Sequence, residues 1–129
     1  MLLSHTIIIL YVLLRVTYIQ LINKSLHLPL YVLTCTMIKN FKSKETAKIF
    51  NRSFSKKLPS QIQKEAYKKL LMLDASSDLE DLKIPPSNRL EKLSGDRKGQ
   101  FSIRINQKYR ICFKYEENQA YDVEIVDYH

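Results

Sequence analysis

The apolar positions of the chain change their spacing twice. Residues 1–36 are almost continuously apolar, residues 43–83 repeat at helical spacing, and residues 89–127 alternate. Met37–Phe41 alternates and predicts a short first strand. Ser43 then opens a helix, with Glu45 in its first turn and Ala47, Ile49, Phe50 and Phe54 as a modest apolar face ended by Pro59. Ser60 is read as the cap of a longer helix. Its stripe is Ile62, Ala66, Leu70 and Leu73, widened by Tyr67 and Leu71. Lys64, Lys68 and Lys69 fall off that stripe and predict a solvated basic side. Asp78–Leu82 suits one further turn before Pro85-Pro86, where the backbone must be extended.

Beyond the prolines the period is two. Arg89–Leu93, Phe101–Ile105, Tyr109–Tyr115 and Ala120–Val126 read as four strands of a meander. They are separated by turn residues that include the chain's two glycines, Gly95 and Gly99. Two helices followed by a strand meander predict an α+β domain with the helices on one face of a twisted, mainly antiparallel four- to five-stranded sheet. Alternation also sorts the side chains. Phe101, Ile103 and Ile105 share a face with Tyr109, Ile111, Phe113 and Tyr115, the core side. Ser102 and Arg104 share the other with Lys108, Arg110, Cys112 and Lys114. On the last strand Val123, Ile125 and Asp127 alternate with Asp122, Glu124, Val126 and Tyr128. The open face thus gathers Arg104, Arg110 and Lys114 beside the Arg97-Lys98 loop. Such a face is suited to phosphate, although any half-exposed sheet carries a similar pattern.

Charge divides the chain at the same place as the apolar pattern. All 13 Asp and Glu lie after Met37, as do all Lys and Arg except Arg15 and Lys24, so of a net charge of +8 the last 93 residues carry 19 − 13 = +6. That excess favours a polyanionic partner through counterion release, and equally describes an ordinary basic protein. Cys35 and Cys112 lie in separate apolar surroundings, with no Cys/His grouping that suits a disulfide framework, a structural metal or a cofactor. A reducing cytoplasmic location fits them. In residues 1–36 the run Thr6–Ile22 is almost long enough to span a bilayer, but Arg15 interrupts it at a cost of about 2.5–3.5 kcal/mol. Three readings stand: a membrane anchor, a cleaved export signal, or upstream sequence read in frame ahead of a start at Met37. The third is favoured, with a domain at 37–129 for which no membrane is expected.

Three ordered motifs carry a resemblance. The run PPSNRLEKLSGDRKGQFSIRI at 85–105, YRICF at 109–113 and DVEIVDYH at 122–129 resemble HigB-type toxins of the RelE/ParE toxin–antitoxin superfamily, the plasmid maintenance system killer proteins. The likeness runs from Met37 to the last residue. It implies a compact RelE-like fold and a toxin that cuts mRNA in the ribosomal A site without a metal. It also implies a helix-turn-helix antitoxin of the HigA type encoded nearby, with operator DNA bound only by the toxin–antitoxin complex.

Metal-free cleavage needs a base for the ribose 2′-hydroxyl, an acid for the leaving oxygen, and cations for the developing charge. His129 is the natural proton-transfer residue. Asp127 can orient a base, act as one, or pair with Arg110 and lock the sheet edge. Tyr128 can donate a hydrogen bond or stack on a splayed base. Arg110 is assigned the transition-state charge, with Arg97, Lys98, Arg104, Lys114 and Lys92 as cations for backbone phosphate. The sequence departs from the family pattern where well-known members carry a histidine and a lysine: Glu91 and Ser94 stand there. Glu91 can serve as a base. Ser94 supplies no cation, and Lys92 is out of phase by one residue, on the other strand face. The leading expectation is therefore a ribosome-dependent mRNA endonuclease. The alternatives are a non-catalytic growth inhibitor of the gyrase-poison type and a weakened toxin acting mainly as an antitoxin-bound corepressor.

Overall fold

The computed structural model describes residues 9–15, 17 and 36–128. Helix α1 spans Lys44–Phe50 and α2 spans Ser60–Ala75. Short 3-10 turns follow at Glu80–Lys83 and Pro86–Asn88. Strand β1 is Glu91–Lys92, and a third 3-10 turn covers Gly95–Arg97. Strands β2 (Gln100–Arg104), β3 (Tyr109–Glu116) and β4 (Gln119–Asp127) complete the chain. The sheet order β1-β2-β3-β4 is the antiparallel meander that alternation predicts.

Local chemistry explains most of the element boundaries. Ser43 caps α1, its Oγ accepting from the backbone N–H groups of Glu45 and Thr46. At α2 the cap is Pro59, and Ser60 is already helical with no side-chain cap bond, which corrects the expected role of Ser60. The entry to α2 is tied down by Gln63 instead. Its Nε2 donates to the carbonyls of Ser55 and Leu58, and its Oε1 accepts from the Ser55 N–H. The β2–β3 turn closes on Asn106, whose Oδ1 accepts from the N–H groups of Lys108 and Tyr109.

One buried cluster holds the fold together. Ile49, Ile62, Ala66, Leu70 and Leu73 from the two helices share it with Ile103, Ile105, Ile111, Phe113, Val123 and Ile125 from the sheet. Leu82, brought in by the first 3-10 turn, completes it. Phe113 is fully buried at its centre, so its aromatic volume contributes on the order of 3–5 kcal/mol relative to alanine.

Three further expectations change in the folded chain. Met37–Phe41 does not form a regular strand. It runs parallel to β4 through isolated bridges, Ile38 opposite Ala120 and Phe41 opposite Val123. The ladder is interrupted where β4 bulges at Asp122, which has φ of 51°. The first meander strand shortens to Glu91–Lys92 because Arg89 turns into the left-handed region with φ of 43°. Lys69 is not on a solvated side: it is 2% exposed, and its Nζ donates to Oδ1 of the buried Asn88. The Pro85–Asn88 segment folds back against α2, a tertiary event that helical spacing does not encode.

Residues 9–15 are helical and meet α2. Val12 is buried and Arg15 donates to the Ala75 carbonyl at 2.8 Å. Among the described residues no helix is long and apolar enough to cross a membrane. Most of the stretch Thr6–Ile22, together with Cys35, lies outside the described residues.

Candidate active site

The open face of the sheet is built by register. Glu91 lies opposite Ser102, Ser102 opposite Cys112, and Cys112 opposite Glu124, so these four side chains form a row across all the strands. One step along, Arg104 faces Arg110, and Arg110 faces Val126.

Arg110 is the fixed centre. It is 8% exposed, and its Nε donates to Ser102 Oγ at 2.7 Å. Its Nη2 donates to the Arg89 carbonyl at 2.6 Å, a group aimed there by the left-handed turn at Arg89. The Glu91 carboxylate stands 3.8 Å from the same Nη2 and is half exposed. The Tyr128 ring lies 5.9 Å from the Arg110 guanidinium carbon, at cation–π range. Tyr128 is positioned by its backbone N–H, which donates to the Lys108 carbonyl at 2.7 Å. An arginine held on two sides, with one edge toward a carboxylate and its face toward a phenol, presents a preorganised positive charge.

A second cation lies beside the first. Arg97, carried by the 3-10 turn at Gly95–Arg97, donates to Glu124 Oε1 at 3.0 Å and to Gln100 Oε1 at 3.1 Å. The hydrogen bond to Glu124 holds the Arg97 guanidinium above its usual pKa, and Tyr128 and Cys112 act on it in the same sense. Lys42 reaches the same Glu124 oxygen at 3.5 Å. Beneath them Cys112 is completely buried, and burial pushes its thiol pKa up.

The structure brings Arg110, Glu91, Tyr128 and Arg97 together and sets the other candidates apart. Asp127 pairs across from Tyr109 and meets Lys108 Nζ at 3.3 Å; Arg110 is paired with Glu91 instead, so the sheet-edge lock between Asp127 and Arg110 does not form. Lys92 lies opposite Phe101, one residue out of phase with Glu91. Lys114 pairs with Asp122 at 3.1 Å, beyond the β-bulge. The Arg104 Nε donates to the Asn106 carbonyl, which turns its guanidinium toward the β2–β3 turn. Lys98 is exposed at the end of the Arg97 turn. His129 lies outside the described residues.

Ser102, Glu124, Lys42 and the Arg89 carbonyl belong to the site but were not candidates on sequence grounds. Alternation already put Ser102 and Glu124 on the open face. Nothing local marks Lys42 or a backbone carbonyl 21 residues before Arg110. Among the described residues no three His, Cys, Asp or Glu side chains group as metal ligands.

Comparison with known proteins agrees with this architecture. Residues 39–129 match the family model of HigB-like toxins, described as the RelE-like toxin of the type II toxin–antitoxin system HigB. Toxin HigB-1 of Vibrio cholerae is 44% identical over 63 residues, 49% of this chain and 66% of that protein. An uncharacterized protein of Haemophilus influenzae is 43% identical over 64 residues, 50% of this chain and 63% of its own length. The chain thus spans slightly less than two thirds of the length of these two relatives. Endoribonuclease HigB of Proteus vulgaris is 30% identical over 93 residues, 72% of this chain and 100% of that protein. With the family model covering most of its length and the α+β meander in place, the chain belongs to the HigB-like family of RelE-like type II toxins.

Proposed function

We propose that this chain is the toxin of a type II toxin–antitoxin system and acts as a ribosome-dependent mRNA endonuclease that needs no metal. The observation that carries the reading is the fixed Arg110 guanidinium, with the Glu91 carboxylate at 3.8 Å and the Tyr128 ring over it. The name of the Proteus vulgaris relative, an endoribonuclease, supports the same chemistry.

In the proposed reaction a ribose 2′-hydroxyl loses its proton to Glu91 or His129. Its oxygen bonds to the adjacent phosphorus, and the bond from phosphorus to the 5′-oxygen breaks. The departing 5′-oxygen takes up a proton from the other of these two groups in its protonated form, leaving a 2′,3′-cyclic phosphate and a free 5′-hydroxyl. Arg110 neutralises the charge that builds on the phosphate oxygens. Removing one such preorganised donor typically costs 10²–10³ in rate. Tyr128 stacks on the splayed base, and Asp127 serves His129 at the end of β4. Arg97 supplies the cation that Ser94 lacks, from the same turn. Lys98, Arg104, Lys114 and Lys92 contribute charge along the strand's path.

The natural partners in this reading are a HigA-type helix-turn-helix antitoxin, the ribosome and mRNA. Operator DNA is bound only by the toxin–antitoxin complex, and the site of action is the cytoplasm. Residues 37–129 form the toxin domain in this reading, and residues 1–36, of which 9–15 meet α2, are read as upstream sequence ahead of Met37 or as a membrane anchor. Serine at position 94 favours one second reading, a weakened toxin acting as an antitoxin-bound corepressor.

The test is primer extension on mRNA after induction of the chain, with and without ribosomes. Transcript cuts that depend on ribosomes, and that vanish in Arg110→Gln, are expected. Growth arrest without transcript cleavage points to a gyrase-poison type of inhibitor. Neither arrest nor cleavage, with antitoxin binding retained, points to the corepressor.

A further inference from the structure

Beside Arg110, at the end of the sheet where β2 turns into β3, lies an open cavity of about 500 Å³. It is lined by Lys69 of α2, Ser87 and Arg89 of the segment after the prolines, and Arg104, Asn106 and Gln107 of the β2–β3 hairpin, with Glu65 on one wall. Its volume is within the range of small-ligand sites. Three cations against one carboxylate leave it at 3 − 1 = +2, and Glu65 also faces Lys68 at 3.9 Å.

Two observations join this cavity to the candidate active site. The Arg89 carbonyl is an acceptor for Arg110, while the Arg89 side chain lines the cavity. Arg104 is the cross-strand neighbour of Arg110, and its Nε is anchored on the Asn106 carbonyl at the cavity rim. A third observation concerns the floor. Lys69 is 2% exposed and donates to Asn88 Oδ1; burial lowers its pKa, the Glu65 carboxylate opposes that shift, and an anion in the cavity adds to the same compensation.

We propose that this cavity is a phosphate subsite: it binds the RNA backbone phosphate adjacent to the one held at Arg110, through Arg89 and Arg104 over the buried Lys69. The proposal rests on the ribonuclease reading for the identity of the strand, and it adds a positioning role. Holding the neighbouring phosphate fixes the register of the strand, so the bond at Arg110 is presented in line with its 2′-hydroxyl. Because the contacts are to backbone, the subsite carries no base preference.

The experiment uses the full chain and a single-stranded RNA hexamer methylated on every 2′-oxygen, which cannot be cut by this chemistry. Binding is followed by fluorescence anisotropy across a salt series for the wild type, for Arg89→Gln/Arg104→Gln, and for Lys44→Gln/Lys83→Gln, which removes two cations that do not line the cavity. The cavity variant is expected to bind about 10-fold more weakly, with a salt slope shallower by about one, while the remote pair changes affinity less than about 3-fold. Equal losses in both variants, no loss in the cavity variant, or no binding of the hexamer by the wild type overturns the proposal. Thermal unfolding of the cavity variant must match the wild type, because a lowered midpoint with an unchanged salt slope indicates a merely structural role and also overturns it. The parent reading is scored separately by cleavage of ribosome-bound mRNA. Failure to cut, with cavity-dependent binding intact, removes the nuclease and leaves the subsite.

Discussion

The two faces of strands β2 and β3 are both largely closed to solvent, yet they are held by different forces. On one face Ile103, Ile111 and Phe113 are fully buried among the helix residues, and contact there is non-directional. On the other, Ser102 and Cys112 are fully buried and Arg110 nearly so, covered by the Arg89–Glu91 segment, the Arg97 turn and Tyr128. A charge at such a position is tolerated because hydrogen bonds to Ser102 and Arg89 replace its water. The apolar face therefore stores stability, and the polar face stores orientation. Substitutions on the two should separate folding from chemistry.

The largest effect is expected from the apolar face. Phe113→Ala should lower unfolding free energy by about 3–5 kcal/mol, read from urea denaturation, and reduce cleavage only through loss of folded protein. Arg110→Gln should do the reverse. Cleavage should fall by about 10²–10³, while stability drops by only about 1–3 kcal/mol as Ser102 and the Arg89 carbonyl lose their partner. Near-normal cleavage by a folded Arg110→Gln protein would falsify its assignment as the charge stabiliser.

The third prediction concerns an acid at the edge of the apolar cluster. Burial raises the Asp74 carboxyl pKa from 3.8 to about 6, opposed by the hydrogen bond it accepts from the Ile38 N–H. Between those values the folded chain holds a proton that the unfolded chain has released. Stability therefore falls as pH rises from ~4 to ~6 and stays lower above that, by at most about 3 kcal/mol. Asp74→Asn keeps an acceptor for Ile38 and removes the charge. It should flatten this slope and raise the unfolding midpoint at pH ~7.5; a variant with an unchanged slope would count against the burial of that charge.

Glu91→Gln is expected to act on chemistry alone. Its carboxylate is half exposed and 3.8 Å from Arg110, so losing the ion pair should change stability by less than about 1 kcal/mol. Cleavage should drop roughly 10²-fold and lose the acidic limb of its pH–rate profile if Glu91 is the base. An unaltered profile would transfer that role to His129. Smallest of all, Lys108→Gln removes an exposed partner of Asp127 and should shift stability by less than about 1 kcal/mol.

How much of this was legible beforehand depended on distance along the chain. The meander, the core parity of Ile103, Ile111 and Phe113, and the Ser43 cap follow from neighbours within a few residues. Of the site, Arg110, Tyr128, Glu91 and Arg97 were identifiable from motif and strand parity. Ser102 and Glu124 had the right parity but no motif to mark them, and Lys42 and the Arg89 carbonyl had neither, because their roles arise from segments far apart in the chain. The burial of Lys69 was missed for a related reason: its helical phase borders the stripe, three residues after Ala66 and four before Leu73, but the partner for its ammonium comes only from the returning Asn88 segment.

What the sequence determined alone was periodicity, and with it the order of elements and the side of the sheet each residue occupies. Backbone geometry enforces a period near 3.6 in helices and two in strands, so these features need no knowledge of partners. Tertiary structure alone decided which polar residues of the open face are joined. A hydrogen bond needs its groups within about 3 Å, and that separation is set by the left-handed turn at Arg89 and by strand register. The docking of residues 37–42 on the bulged β4 was decided in the same way.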